Sequence, residues 1–515
     1  MQTLTARSQR SRSVPTESEN PRGRILVGFG LALLGAGLWT LAMPPFTAWP
    51  LIWFGFVPVI VAQHRVLPPR WSGLGMGVAV GGYLAGQFSV GLAQGHVAIV
   101  FQLMPLYMIF VIWALARRTV RFHRQTAYRW IAVATPVAWV AIDFARASGN
   151  ATLGGTFSNP AYAMWQHPGF LQPLGVFSIY GLELLIVLSN WALAALVIAM
   201  IDRRRGADQS GTGDLGPAVR VAAARTAVIA VTVTILAWGV LSATMIRNPR
   251  PTITVAAVQP GKVTSKAQEL QHDIEQTRAA AAKGARLVVW REGGLNFEPQ
   301  QTHTAQLAEL ARSTNTHLVI GYRLKTSRGH LNEATLLTPG GRYLGRYGKE
   351  HPGTFAGDYS DTGGTFPVYS TPLGKIATII CYDLDFTDTA RHMARGGAQI
   401  IATPSSDVPT LSKIHYTHLV FRAIENRVTM VKADSRFDSA IIDPYGRVLA
   451  VATDYSGHRR ATLIATVPLG THDSLYLHLG DWVGWVCLVG LAALLVLGWR
   501  ARWLARASDT AASVG

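Results

Sequence analysis

One cysteine, Cys381, lies where a buried strand is expected to end in a polar segment. Residues 376–380 are rich in β-branched side chains and follow a Pro-Leu-Gly turn signal, which predicts a short buried strand. A cysteine at such a strand end can be held rigidly and still be partly exposed, as a nucleophile must be. A lone cysteine is also often just a small buried hydrophobic residue, so this stretch alone leaves both interpretations open.

Two further predicted strands end on ionisable side chains. Residues 287–290 lead to Glu292, and the strand that follows a Pro-Gly-Gly turn ends on Lys349. If the three strand ends meet, they supply a thiol, a base for its proton and a cation that stabilises an oxyanion. The cation would also lower the pKa of Cys381 and increase its thiolate fraction. Taken separately, Glu292 could be a solvated loop acid and Lys349 a surface charge.

The composition places the chain among membrane proteins. Of its 515 residues, 49% are hydrophobic and only 15% are charged, and the mean hydropathy is positive. A formal net charge of +18 would suit nucleic-acid binding, but the basic residues lie beside apolar segments. The charge therefore indicates a membrane orientation signal, and no nucleic-acid partner is expected.

Eight apolar segments predict a helical bundle with eight spans. They are residues 25–43, 51–63 (a short one), 72–92, 97–116, 130–145, 175–200, 227–243 and 482–497. A signal peptide could explain the first segment, but no small-residue cleavage site follows it and further apolar segments come at once.

The loops between these segments predict an orientation. Arginines cluster in alternate loops, whereas the intervening loops 44–50, 93–96 and 147–170 contain no Lys or Arg. By the positive-inside rule, both termini are cytoplasmic and the long segment before the last span lies outside. The predicted organisation is a disordered cytoplasmic tail (1–24), a bundle of seven transmembrane helices (25–245), an extracytoplasmic catalytic domain (246–480), an eighth transmembrane helix (481–500) and a cytoplasmic tail (501–515).

The outer segment has the pattern of a layered α/β domain. Residues 252–259 and 285–290 are predicted strands, and 266–282 between them is a predicted amphipathic helix. The other cysteine, Cys487, falls in the last span and is not expected to pair with Cys381, so the outer thiol is a candidate reactive group.

Two histidines raise the question of a metal site. His415 and His418 are three residues apart on a predicted helix, 415–426. Because no Cys or carboxylate at ligand spacing accompanies them, the sequence predicts no metal site.

The motifs around the three candidate residues resemble those of the nitrilase, or carbon-nitrogen hydrolase, superfamily. The resemblance rests on Trp-Arg-Glu292, Lys349-Glu-His and Cys381-Tyr-Asp in this order, followed by Phe-Arg-Ala-Ile-Glu-Asn-Arg (421–427) and Ile-Asp-Pro-Tyr-Gly-Arg (442–447). It covers about residues 252–467. It implies an αββα sandwich, a catalytic triad of Glu292, Lys349 and Cys381, and a structural role for the helix that contains residues 421–427.

Together with the apolar segments, the chain resembles the membrane-embedded branch of this superfamily, the apolipoprotein N-acyltransferases of the bacterial cytoplasmic (inner) membrane. The resemblance implies a ping-pong reaction without a cofactor. Cys381 would take a fatty acyl chain from a phospholipid donor as a thioester and pass it to the α-amine of a diacylglyceryl-cysteine on an apolipoprotein. Glu292 would act as general base, and Lys349 with the Tyr382 backbone N–H would stabilise the oxyanion.

The chain departs from that family at three places. Asp383 stands where the acyltransferases carry Glu after Cys-Tyr, and Gly357 stands where they place a further glutamate, with Asp358 next to it. The loop 405–408 lacks their aromatic residues. Asp358 and Asp383 are therefore expected to support the site beside Tyr382. The alternatives are a membrane-tethered amidase or nitrilase with water as acceptor, or a non-catalytic acyltransferase-like partner protein, which the intact triad disfavours.

Overall fold

The N-terminal half of the chain folds into long apolar helices, which satisfy their own backbone hydrogen bonds where water is absent. The structure, a computed structural model, describes residues 21–94, 99–149, 154–204, 217–247, 251–263, 265–354, 357–361, 363–408, 414–452 and 456–512. The predicted tail residues 1–20 and 513–515 lie outside these ranges. The long helices here are α1 (Pro21–Ala42), α2 (Pro69–Gln94), α3 (Ile99–Gln125), α4 (Ala134–Gly149), α5 (Leu174–Arg204) and α6 (Pro217–Thr244).

Eight membrane spans are not confirmed. In the described part of the chain, four helical segments are long and apolar enough to cross a membrane: Pro21–Ala42, Leu174–Arg204, Ala218–Thr244 and Trp482–Arg500. The predicted second span, 51–63, is not a continuous helix. It is divided among a 3₁₀ turn (Trp49–Trp53), a five-residue α-helix (Val57–Val61) and a π turn (Ala62–Val66). Pro58 lies in the first turn of the five-residue helix, and because proline has no N–H to donate it cannot continue a helix from the 3₁₀ turn before it.

The outer domain contains two β-sheets. The strands of the first sheet run in the order β13-β1-β2-β3-β4-β5, with β6 paired to β4, and those of the second in the order β12-β11-β10-β9-β8-β7. The strands are β1 (Thr252–Gln259), β2 (Leu287–Val289), β3 (His317–Thr326), β4 (Gly329–Leu337), β5 (Tyr343–Gly348), β6 (Asp358–Tyr359), β7 (Val368–Thr371), β8 (Gly374–Thr378), β9 (Ile400–Ser405), β10 (Thr429–Asp434), β11 (Ala440–Ile442), β12 (Val448–Val451) and β13 (Ala461–Pro468).

Helices cover the outer face of each sheet. Helices α7 (Lys266–Ala282) and α8 (Thr304–Thr314) pack on the first sheet, and α9 (Thr387–Arg395) and α10 (His415–Asn426) pack on the second. The two sheets face each other through fully buried aliphatic side chains such as Val289, Ile400 and Val431. Each of these contributes about 1.5–3 kcal/mol by leaving water. The domain is thus the αββα sandwich that the resemblance implied.

The last helix, α11 (Trp482–Ala512), returns to the bundle and packs on α4, where Phe144 meets Trp485 edge-on at 5.2 Å. The sandwich rests on the first turns of α5. There the Glu425 carboxylate accepts a hydrogen bond from Ile179 N at 2.9 Å, and Ser474 Oγ donates to Gly175 O at 2.9 Å. These contacts hold the second sheet and its helices directly against the membrane bundle.

Candidate active site

The three predicted strand ends meet at one buried point. Glu292 follows β2, Lys349 follows β5 and Cys381 follows β8. The Lys349 ammonium lies 2.8 Å from Glu292 Oε1, and the charges of both groups act on the Cys381 thiol. All three side chains are buried, and Cys381 keeps 9% of its surface exposed. The structure thus brings a thiol, a carboxylate and a cation together, and their role as a catalytic triad stays a prediction.

The nucleophile candidate lies on a strained turn. Cys381 has a φ of +45°, in the left-handed region that costs free energy for a residue with a side chain, and it begins a 3₁₀ turn, Cys381–Asp385. The Asp383 carboxylate holds this turn by accepting hydrogen bonds from Ile380 N (2.8 Å), His351 N (2.8 Å) and the Tyr347 hydroxyl (2.7 Å). Asp383 thus shapes the turn and is occupied with these three donors.

The electrostatics of Cys381 differ from the prediction. Burial raises the pKa of the thiol well above its ordinary value, the Glu292 charge raises it further, and Lys349 only partly offsets them. The prediction of a lowered thiol pKa was wrong because it counted the cation alone. Burial would lower the pKa of Lys349, but the charge of Glu292 raises it above its usual value. The resting site therefore contains a protonated thiol beside a paired ammonium and carboxylate.

Asn332 and Asp358 complete the surroundings of Lys349. Asn332 Nδ2 donates to Glu292 Oε1 at 2.5 Å and to Asp358 Oδ2 at 3.1 Å, and Asp358 Oδ2 lies 3.7 Å from Lys349 Nζ. The pairing of β6 with β4 brings Asp358 here, since His330 is opposite Asp358 and Asn332 is two residues further along β4. Arg323 makes a salt bridge with the other oxygen of Asp358. Sequence reasoning missed Asn332, which no local pattern marks.

Gly357 has the backbone conformation that glycine favours. Its φ is +74°, and its carbonyl accepts a hydrogen bond from His330 N at 2.8 Å. A glutamate at this position would be strained by its Cβ. The carboxylate near the lysine therefore comes from the next residue, Asp358.

A second carboxylate, which the sequence did not mark, lies on another side of the thiol. Cys381 Sγ donates to Asp407 Oδ1 at 3.4 Å, and Asp407 is fixed by Lys432 Nζ at 2.7 Å and by His415 Nδ1 at 2.8 Å. Burial opposes ionisation, but His415 and Lys432 lower the pKa of Asp407 well below its ordinary value. Asp407 belongs to the loop 405–408 that lacks aromatic residues, and this contact could not be seen from the sequence.

The two histidines of α10 also acquire carboxylate neighbours. Asp385 lies between them, 3.5 Å from His415 Nε2 and 2.6 Å from His418 Nδ1. Burial lowers the pKa of His415, but Asp407 and Asp385 together raise it to about 10. The sequence argument looked for a Cys or a carboxylate at ligand spacing near the two histidines. The fold instead brings Asp385 to them, which precedes His415 by 30 residues and His418 by 33.

An apolar cavity connects this region to the membrane bundle. It has a volume of 230 Å³ and is lined by side chains of α2, α3 and α4 and by Tyr382 and Asp385, which follow the nucleophile candidate. Asp143 and Arg146 line it as a salt bridge at 2.6 Å, and Glu183 lines it while accepting a hydrogen bond from Trp139 Nε1 at 3.0 Å. Tyr382 therefore faces a space large and apolar enough for part of a hydrocarbon chain.

Two aromatic residues of the outer loop (residues 147–170) lie against the sandwich domain. Tyr162 is buried and stacks on the His418 ring at 3.9 Å, and Trp165 meets Tyr416 edge-on at 5.3 Å. Tyr162 and Trp165 therefore pack on the second-sheet helix α10. Residues 150–153 of this loop lie outside the described part of the chain.

Comparisons with known proteins cover both parts of the chain. Residues 254–476 match the carbon-nitrogen hydrolase family, and residues 35–192 match the apolipoprotein N-acyltransferase N-terminal domain. The chain is 24% identical to an apolipoprotein N-acyltransferase of Geobacter metallireducens, over 92% of this chain and 95% of that protein. It is 30% identical to a nitrilase of Pyrococcus abyssi, over 38% of this chain and 81% of that protein.

A solved structure, the NitN amidase from Neterenkonia sp. AN1, is 22% identical and has a TM-score of 0.37, covering 44% of this chain and 95% of that one. The two family matches occur in the order that the sequence predicted, with the apolar bundle first and the sandwich second. The chain belongs to the carbon-nitrogen hydrolase superfamily, in the branch of the apolipoprotein N-acyltransferases.

Proposed function

We propose that the protein transfers a fatty acyl chain from a phospholipid, through a thioester on Cys381, to the N-terminal amine of a diacylglyceryl-cysteine on an apolipoprotein. One observation supports this most directly. The Glu292 and Lys349 side chains meet near Cys381, and Tyr382, the residue that follows Cys381, lines an apolar cavity formed largely by the helices of the bundle. A soluble amide would not need that cavity, whereas lipid substrates leave the bilayer at a cost of about 0.8 kcal/mol per CH₂ group.

In the first half-reaction, the Cys381 sulfur attacks the ester carbonyl carbon of the phospholipid while Glu292 takes the thiol proton. Because burial and Glu292 raise the thiol pKa, proton transfer accompanies attack and no resting thiolate is required. The oxyanion is stabilised by the Lys349 ammonium and the Tyr382 backbone N–H. The intermediate then expels the lysophospholipid alkoxide, which takes its proton from Glu292.

In the second half-reaction, the α-amine of the acceptor attacks the thioester carbonyl. Glu292 accepts a proton from the amine, the amide forms and the Cys381 thiolate leaves and is reprotonated. Asp358 acts through Lys349 and Asn332, and Asp383 acts through the turn, so both are positioning residues.

We also propose the orientation given by the arginine distribution. The bundle lies in a bacterial cytoplasmic membrane, the sandwich lies on the extracytoplasmic side, and both termini are cytoplasmic. This arrangement is compatible with the acceptor, since the sandwich rests on the first turns of α5, the end that the arginine distribution places outside.

The thioester provides the test. Full-length protein in lipid nanodiscs is incubated with phospholipid and no acceptor, and the peptide containing Cys381 is analysed by mass spectrometry. We expect a hydroxylamine-labile fatty acyl increment that is absent in Cys381→Ala and present in the control Cys487→Ala. Adding a diacylglyceryl-cysteine peptide should remove the increment and acylate the peptide. Steady release of fatty acid into water without an acceptor, and no acylated peptide, would support a tethered hydrolase instead.

A further inference from the structure

Three buried side chains converge beside the active site. Asp385 lies between the imidazoles of His415 and His418, and all three side chains keep 3% or less of their surface exposed. Their nitrogen and oxygen atoms lie within 4.8 Å of one another. Asp385 ends the turn that begins at Cys381, whereas both histidines belong to α10.

The contacts among them are close but are not aligned as hydrogen bonds. In the described part of the chain, both oxygens of Asp385, Nε2 of His415 and Nδ1 of His418 have no hydrogen-bond partner. A buried polar atom without a partner costs about 1–3 kcal/mol, and the cost is larger for a charged group. Four such atoms in one buried cluster would be satisfied better by a shared cation than by these ion-pair contacts alone.

We propose that Asp385, His415 and His418 bind one divalent transition-metal ion, for which zinc is the best match. Two imidazole nitrogens and a carboxylate are ligands that zinc prefers, with bonds of about 2.0–2.2 Å, so that ligand atoms around a tetrahedral ion lie about 3.3 Å apart. The 3.5 Å contact of Asp385 with His415 already fits this spacing. The 2.6 Å contact with His418 would open by under about 1 Å.

The surroundings of His415 support this assignment. Its Nδ1 donates to the Asp407 carboxylate at 2.8 and 2.9 Å, which keeps one proton on Nδ1. A metal ion would displace the proton that Nε2 carries beside Asp385 and bind the nitrogen in its place. Metal-binding histidines commonly have such a carboxylate on the opposite nitrogen. Two carboxylates near one imidazole also give the site the negative charge that a divalent cation requires.

The ion would connect three parts of the protein at the nucleophile. It would tie the turn of Cys381 to α10, and Asp385 is already linked to the outer loop through its carbonyl, which accepts from Thr156 N and Thr156 Oγ1 at 2.7 Å each. Tyr162 of the same loop stacks on His418. The role is structural, and the proposal does not depend on the acyl-transfer reaction.

Metal content tests the proposal. The full-length protein is purified in detergent with an affinity tag that avoids metal resins, and bound metals are measured by inductively coupled plasma mass spectrometry. We expect about one zinc per chain, bound again after chelation and dialysis against Zn²⁺ alone. Cobalt substitution of the wild-type protein should give visible d–d absorption, which needs no variant to fold.

Variants separate this site from its neighbours. Asp385→Asn and His418→Gln should reduce zinc about tenfold or more. His317→Gln, which replaces a buried histidine of β3, should retain zinc. Cys381→Ala should also retain zinc, which would exclude a site formed by Cys381, Asp407 and His415. Wild-type protein with no zinc even after dialysis, equal zinc in all variants, or loss of zinc in Cys381→Ala would each overturn the proposal.

Discussion

Substitution of Asp358 is the sharpest test of the site, because its carboxylate contacts Lys349 of the proposed triad without touching the reacting atoms. Its carboxylate accepts from Asn332 Nδ2 at 3.1 Å, lies 3.7 Å from Lys349 Nζ and pairs with Arg323. Asp358→Asn keeps the shape and removes the charge. Asn332 then loses one of two charged acceptors, and Lys349 loses one of two carboxylate neighbours.

The size of the effect follows from these contacts. A hydrogen bond to a charged group contributes about 1.5–3 kcal/mol, whereas a neutral one contributes about 1 kcal/mol. Loss of the charge from the Asn332 contact and from the Lys349 ion pair should therefore cost about 2 kcal/mol of transition-state stabilisation. This corresponds to a roughly 30-fold lower kcat. KM for the phospholipid should change little, because Asp358 is buried behind Lys349 and Asn332.

The assay is acylation of a diacylglyceryl-cysteine peptide by full-length protein in nanodiscs, with kcat and KM determined separately. Glu350→Gln is the matched control, since Glu350 neighbours Lys349 in the chain but its carboxylate accepts from Gly364 N at 2.6 Å on the surface. Its activity should stay within about twofold of wild type, as is usual for surface substitutions. Near-normal kcat in both variants would show that this loop contains no carboxylate that matters for catalysis.

Two further predictions concern the thiol and the membrane. Since Glu292 raises the pKa of Cys381, Glu292→Gln should shift the pH dependence of iodoacetamide alkylation at Cys381 to lower pH. The same variant should abolish acyl transfer. An unchanged pH dependence, or a shift to higher pH, would contradict the electrostatic account. Alkaline phosphatase fused after Ser360 should be active and after Arg205 inactive; the reverse pattern would place the sandwich in the cytoplasm and remove access to lipoproteins.

Local patterns were sufficient for the elements of the outer domain. The predicted strand 252–259 and the predicted helices 266–282 and 415–426 agree with β1, α7 and α10 residue by residue. These segments are long and have a regular hydrophobic pattern. Packing against neighbouring elements does not change the secondary structure that this pattern predicts. The apolar segments were harder, because hydropathy measures length and composition but does not register that Pro58 interrupts the segment 51–63.

The sequence by itself marked the candidate reactive residues, because Glu292, Lys349 and Cys381 each follow a predicted strand. Only the tertiary structure decided what surrounds them. Asn332, Asp407 and Asp385 come to the site through strand pairing and sheet packing, which join residues far apart in the chain. The protonation of Cys381 was decided in the same way, since burial and a nearby carboxylate outweigh the cation that the sequence suggested.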